Sequence, residues 1–249
     1  MKLAKSLFSA CIICGLTQLS TYADSKWVLS SEDGVDLQID VTQLPSYPHA
    51  LTEAGYLEGF VKVSVDVDHH GELRDWIIVE STHPSFTQSV ERVIEKWEFS
   101  APKVNGEPRS IITHLNINFK SSGAVLSMSL PSEMLAQRIN QMSGYRSQYR
   151  GLTSINDLDT SPFPLDQPSP RVPQQLVDEY EESQASFNFY VDEAGQVRMP
   201  ALVETKGDPD VQLLVAAQDA ISQWKFEPPT RNKRPVKIRL SQTFVFANR

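Results

Sequence analysis

Histidines are the residues of this 249-residue chain best suited to chemistry, and all five lie in its first half, at His49, His69, His70, His83 and His114. Imidazole serves both as a metal ligand and as a general base near neutral pH. His69 and His70 stand in the turn Asp68-His69-His70-Gly71, and His83 directly precedes Pro84, which suits the first position of a helix. A weak metal site at the end of a sheet is the most these side chains offer. No carboxylate or cysteine stands at ligand spacing, so solvated turn histidines are the favoured reading. Ser81 and Ser129 have no candidate base beside them in sequence. No nucleophile elbow, H-E-x-x-H, phosphate loop or dinucleotide fingerprint occurs. Cys11 and Cys14 spell C-x-x-C, but inside an apolar N-terminal run where the motif lacks a folded context. These residues indicate a non-enzymatic protein with no catalytic residue, no metal site and no cofactor.

The N-terminus explains the cysteines better. Lys2 and Lys5 form a positive start, Leu7 to Leu16 an apolar stretch, and Thr21-Tyr22-Ala23 a cleavage site, so residues 1–23 read as a secretory signal peptide. The apolar run is shorter than the roughly 20 residues that span a bilayer, so no permanent membrane span is expected after cleavage. Cys11 as a lipid-acceptor cysteine is the alternative, disfavoured by the short apolar run before it. Cleavage removes both cysteines, so stability must come from core packing rather than a disulfide. It also takes Lys+Arg from 23 to 21 against 31 Asp+Glu, a net charge of −10. That balance disfavours nucleic acid, whose phosphates need clustered cations, and passive adsorption to anionic lipid.

One basic cluster stands out in this acidic chain: Arg231, Lys233, Arg234, Lys237 and Arg239. Charge near a sheet edge commonly blocks aggregation, which is the favoured reading. The functional alternative is a docking patch for an acidic partner or peptidoglycan.

The elements that must position such residues come as a duplication. Trp97-Glu98-Phe99-Ser100-Ala101-Pro102 is matched by Trp224-Lys225-Phe226-Glu227-Pro228-Pro229, and the agreement continues at Asn105 and Asn232, Pro108 and Pro235, Phe119 and Phe246. Two copies of one supersecondary unit follow. In the first, Val61, Val63, Val65 and Val67 alternate with polar residues and predict a half-buried strand. A turn at Gly71 leads to a return strand over Leu73 to Glu80. Phe86, Val90, Val93, Ile94 and Trp97 form a helical stripe. Asn105-Gly106 turns the chain into a closing strand, Ser110 to Phe119. In the second copy Phe187, Phe189 and Val191 give the first strand, Gln196 to Glu204 the return, and Asp208-Pro209 a helix start with Asp208 as N-cap. Leu213, Ala217, Ala220, Ile221 and Trp224 repeat the stripe, and Lys237 to Phe246 closes. Glycine to tryptophan is three residues longer here, placed before or at the start of the helix. The fold class is α+β: two ββαβ units, each a small antiparallel sheet packed on one helix with its tryptophan in the core.

The expected organisation is a signal peptide at 1–23, then a leader at 24–45 in which Val35, Leu37, Ile39 and Val41 alternate as an extra strand. Repeat one spans 46–120. A partly helical, proline-rich linker spans 121–169, with a helix over Ser132 to Gly144 and an extended run at Pro162, Pro164 and Pro168. Repeat two spans 170–249.

These residues resemble the TonB C-terminal domain family. Tyr47-Pro48, Gly59-Phe60-Val61-Lys62-Val63, the Asp68 to Gly71 turn, Ser81, Trp97-x-Phe99-x-x-Pro102 and the strand to Phe119 follow its pattern. Repeat two keeps Pro173, Asp192 to Gly195 and Trp224-x-Phe226-x-Pro228, but lacks the tyrosine and the Gly-x-Val entry. The resemblance implies a periplasmic, Gram-negative protein-interaction module. Its partner would be an envelope protein or an outer-membrane receptor peptide, bound as an added strand along a closing strand. That points to Ile111, Thr113, Leu115 and Ile117 of repeat one as the favoured edge, with Arg231, Lys233, Arg234 and Lys237 beside the other. Energy transduction is not implied, since the family members that perform it carry a histidine-bearing membrane helix and a long proline-rich spacer before a single domain. Two alternatives remain open at this stage: an envelope scaffold whose edges pair internally, with each other or with the Val35 to Val41 strand, and a histidine-dependent metal protein.

Overall fold

A turn shared by both repeats sets their shape. The Asp68 carboxylate accepts hydrogen bonds from the backbone N–H groups of His70 and Glu72, each at 2.9 Å. Asp192 does the same for Ala194 and Gln196, again at 2.9 Å. Each turn ends on a glycine with positive φ, Gly71 at 91° and Gly195 at 80°, a conformation open to glycine at little cost. The structure, a computed structural model, describes residues 29–30, 37–40, 43–121, 123–127, 150–172, 176 and 182–247. The expected signal segment and the helix expected over 132–144 lie outside the described residues, as do Val35, Val41 and Ser129.

In chain order, the leader supplies β1 (Leu29–Ser30) and β2 (Ile39–Asp40), followed by the short helix α1 (His49–Glu53). Repeat one then forms the hairpin β3 (Glu58–Val67) and β4 (Leu73–Ser81) and the helix α2 (Pro84–Glu91). A 3-10 turn over Ile94–Lys96 brings the chain to Trp97. Next come β5 (Glu98–Phe99), the small hairpin β6 (Lys103–Val104) and β7 (Glu107–Pro108), β8 (Ile111–Lys120) and β9 (Gly123–Ser127). The connection supplies β10 (Arg150–Gly151) and β11 (Pro164–Asp166). Repeat two forms β12 (Ser183–Val191), β13 (Val197–Lys206), the helix α3 (Val211–Ser222), β14 (Lys225–Phe226), the hairpin β15 (Thr230–Arg231) and β16 (Arg234–Pro235), and β17 (Ile238–Phe246).

Each repeat is thus a ββαβ unit with its own core. Val61, Val63, Val65 and Val67 face Phe86, Val90, Ile94 and Trp97 in the first. Phe187, Phe189 and Val191 face Leu214, Ala217, Ile221 and Trp224 in the second. Both helices begin thirteen residues before their tryptophan, at Pro84 and Val211, so the three extra residues of repeat two fall before its helix. The N-cap is Asp210, whose carboxylate accepts from Gln212 N at 2.7 Å. It is not Asp208: the helix begins at Val211, two residues beyond Pro209, which leaves Asp208 outside the first turn. His83 caps α2 through Nδ1, which accepts from Ser85 N at 3.1 Å.

The segments ahead of each repeat are part of it. β2 pairs antiparallel with β5, and β11 with β14. The Trp97 indole N–H donates to Gln43 O and the Trp224 indole N–H to Pro168 O, both at 2.9 Å. So the proline-rich run expected as a linker is, at 164–168, a docked strand and an indole acceptor. Of the expected strand at Val35 to Val41, Ile39–Asp40 likewise joins β5 rather than a closing strand.

One sheet path runs β10-β4-β3-β8-β1-β13-β12-β17, with β9 added to β8. The two repeats meet through the sheet faces turned away from their helices. There Ile77, Val79 and Ile112 pack against Tyr190, Met199 and Ala201. Arg198 of repeat two forks onto Asp75 of repeat one, with Nε to Oδ2 at 2.8 Å and Nη2 on Oδ1.

Candidate protein-interaction edge

β17 pairs with β12 along nine residues, from Ser183↔Phe246 to Val191↔Ile238. It ends the sheet path, so its other side has no strand partner among the described residues. Its side chains alternate. Ile238 is buried, and Leu240, Phe244 and Phe246 pack onto the second core. Arg239, Ser241, Thr243 and Val245 face the other way and are exposed. A long edge of this kind presents unsatisfied N–H and C=O groups to any extended chain. Arg239 is the one charged side chain within it, so little in the strand repels an added neighbour.

β8 is the equivalent strand of repeat one, and it lies inside the sheet. It pairs with β3 over ten residues, Glu58↔Lys120 to Val67↔Ile111. On its other side β1 pairs in parallel with Ile111 and Ile112, and β9 pairs with Asn116 to Lys120. Ile111, Leu115 and Ile117 are buried in the first core and Thr113 is half-buried. The structure therefore moves the open edge from repeat one to repeat two. Strand patterning cannot show this, because the covering segments β1 and β9 are short and carry no periodic signal. The two closing strands do not pair with each other; β1 stands between β8 and β13.

The basic residues are gathered by the β15–β16 hairpin, on different elements from Ile111 to Ile117. Its turn holds Asn232 and Lys233 at φ 51° and 61°. Asp159 accepts from Lys233 N at 2.7 Å and Asn232 N at 2.8 Å, and the Lys233 N–H first, then that of Asn232, holds its carboxyl below the usual range. Sequence reading missed Asp159, although its acceptor role follows once the hairpin is known. Arg231 lies 3.7 Å from Asp157 and Lys237 3.6 Å from Glu193. Such solvent-facing pairs contribute little. Arg231, Arg234 and Lys237 line a 470 Å³ cavity together with Glu80, Glu91 and Glu193. Three basic and three acidic side chains thus share its lining.

The histidines scatter. The His69 and His70 rings lie with centroids 3.8 Å apart in the first turn, tilted 42° to each other. His114 lies on the helix-free face of β8, where its Nε2 meets Tyr190 Oη at 3.1 Å. Burial, and then the charges of Lys62 and Arg239, push it down to about 4. Among the described residues no three His, Cys, Asp or Glu side chains converge on a common point, and no helix is long and apolar enough to cross a membrane.

The family described as Gram-negative bacterial TonB protein C-terminal matches residues 43–121 and 168–247, together more than half of the chain. None of the curated proteins compared matches it. Among solved structures, the chain is similar to the Pseudomonas aeruginosa TonB C-terminal domain solved by NMR in solution, with 20% identity and a TM-score of 0.31, covering 36% of this chain and 89% of that one. It is also similar to the TonB2 protein of Vibrio anguillarum, with 20% identity and a TM-score of 0.29, covering 40% and 91%.

Proposed function

This chain belongs to the TonB C-terminal family, and from that premise we propose that it is a tandem, non-enzymatic interaction module of the Gram-negative periplasm. It takes up an extended segment of an envelope protein or outer-membrane receptor by strand addition at β17. The observation that carries this reading is the position of β17: nine residues long, paired on one side, and last in the sheet. Each backbone hydrogen bond gained there contributes about 1 kcal/mol net. Affinity and choice of partner then depend on side chains meeting Leu240, Phe244 and Phe246 on one face and Arg239 on the other.

The experiment is site-specific photo-crosslinking in the periplasm from Ser241, with adducts mapped to single residues by mass spectrometry. Ser241 should attach to one envelope protein at positions that fall in an extended stretch. Adducts that form only within the chain, or that map to a partner's folded surface, would sink strand addition at β17. The covered edge of β8 favours a second reading for repeat one alone, namely a scaffold that fixes repeat two through the shared apolar face.

A further inference from the structure

We infer that the groove between the two repeats binds a short zwitterionic peptide, with the peptide's ammonium on Glu80 and Glu91 of repeat one and its carboxylate on Arg234 of repeat two. The site is separate from β17, and the inference does not depend on strand addition there.

Three observations lead to it. First, the groove is continuous and has a fixed floor. The 470 Å³ cavity shares Ile78, Glu91, Glu193 and Lys237 with an adjoining cavity of 550 Å³ that runs on to Trp76 and Glu95. Volumes of this size suit a small ligand. Gly151, Leu152 and Thr153 line the smaller cavity, and this stretch ties both walls together. The Leu152 N–H donates to Val79 O of β4 at 3.1 Å, and the next one along, the Thr153 N–H, donates to Lys237 O at 3.0 Å. The spacing of the repeats across the groove is therefore set by backbone bonds as well as by the Asp75–Arg198 fork.

Second, the charges that line the smaller cavity do not cancel one another. Lys237 lies 3.6 Å from Glu193, and Arg231 lies 3.7 Å from Asp157. Arg234, Glu80 and Glu91 line the same space, yet among the described residues none of them has an ion-pair partner. Third, the unmatched charges are sorted by wall. The two carboxylates belong to β4 and to the end of α2, and the guanidinium belongs to β16. A ligand that satisfies both walls carries a cation at one end and an anion at the other. The lining also includes Ile78, Val79, Leu152 and Val236, which suit small apolar side chains. A short free peptide brings both end charges into one cavity. An internal segment of a folded partner supplies neither end group.

The test titrates the isotope-labelled full chain with tri-alanine and follows the backbone amide signals of Leu152 and Thr153. Tri-alanine should shift both signals saturably. N-acetyl-tri-alanine and tri-alanine amide should each bind tenfold or more weakly, because each lacks one charge-assisted contact. In Arg234→Gln the preference over the amide should vanish while the preference over the acetylated peptide stays. The double variant Glu80→Gln, Glu91→Gln should show the reverse. Both variants should keep the near-ultraviolet signals of Trp97 and Trp224, since the substituted side chains lie outside the two cores. No saturable shift with tri-alanine overturns the site. So does binding that neither blocking nor substitution weakens, and so does loss of both preferences together in either variant. The wild-type comparison of blocked and unblocked peptides stands even if a variant does not fold. Failure of strand addition would instead appear as loss of partner adducts from Ser241, which this titration does not read.

Discussion

Gly59 and Phe86 occupy one space: a Cβ built on Gly59 would lie 2.1 Å from Phe86 Cε2. The counterpart positions of repeat two, nine residues before its aspartate turn and eleven before its tryptophan, hold Ser183 and Leu213. The repeat with the smaller helix residue is the one that carries a strand side chain. Gly59→Ala should cost about 1–3 kcal/mol by overpacking, read as a lower urea midpoint. Adding Phe86→Leu should recover part of it, and strictly additive losses in the double variant would contradict the shared space.

The turn glycines should not be equivalent. A Cβ on Gly71 would meet Phe99 O at 2.3 Å and one on Gly195 would meet Phe226 O at 2.0 Å, whereas Gly106, also at positive φ, has nothing within 4 Å. Gly106→Ala should cost about 1–2 kcal/mol, the left-handed penalty alone. Gly71→Ala and Gly195→Ala should lose clearly more, because carbonyl groups must also move. Thermal unfolding of the three variants ranks them, and equal losses would mean the carbonyl contacts are soft.

Asp75 and Arg198 join the repeats by a two-pronged hydrogen bond, with Asp192 also 3.7 Å from the guanidinium. The pair is about one-third exposed, at 28% and 35%, so screening limits it to about 1 kcal/mol. A double-mutant cycle with Asp75→Asn and Arg198→Gln should give a coupling of that order that shrinks in high salt. Zero coupling would reduce the contact to a surface accident.

His114 should tie the fold to pH. Its folded-state value of about 4 lies below the ordinary 6.5, so between these values the unfolded chain takes up a proton that the folded chain refuses. Stability is then complete above pH 6.5 and declines as pH falls towards 4. Lys62 and Arg239 strengthen the trend, and Tyr190 supplies the hydrogen-bond partner. The carboxyls of Asp68 and Asp159, held low by backbone N–H groups, add losses only below about pH 4. Urea midpoints from pH 7.5 to 4.5 should fall for wild type and flatten for His114→Gln; parallel curves would remove His114 from the account.

The duplication, both hairpins, both helical stripes and the buried tryptophans were legible because period-2 and helical patterns record which face is inward. Ser183 and Asp159 left no such trace. The acceptors for Trp97 and Trp224 were illegible for another reason: Gln43 O and Pro168 O are backbone atoms in stretches without periodicity. What stands beside each closing strand was illegible for a third reason. Ile111, Thr113, Leu115 and Ile117 were placed correctly in a strand, but what stands beside a strand is decided by distant, two-residue partners that no local pattern announces.

The order of strands also changes how the duplication counts. Two linked modules ordinarily raise avidity, because the second binding event becomes intramolecular. Among the described residues β17 stands at the sheet's far end while β8 has strands on both sides, so the proposed strand addition predicts a stoichiometry of one despite the two copies.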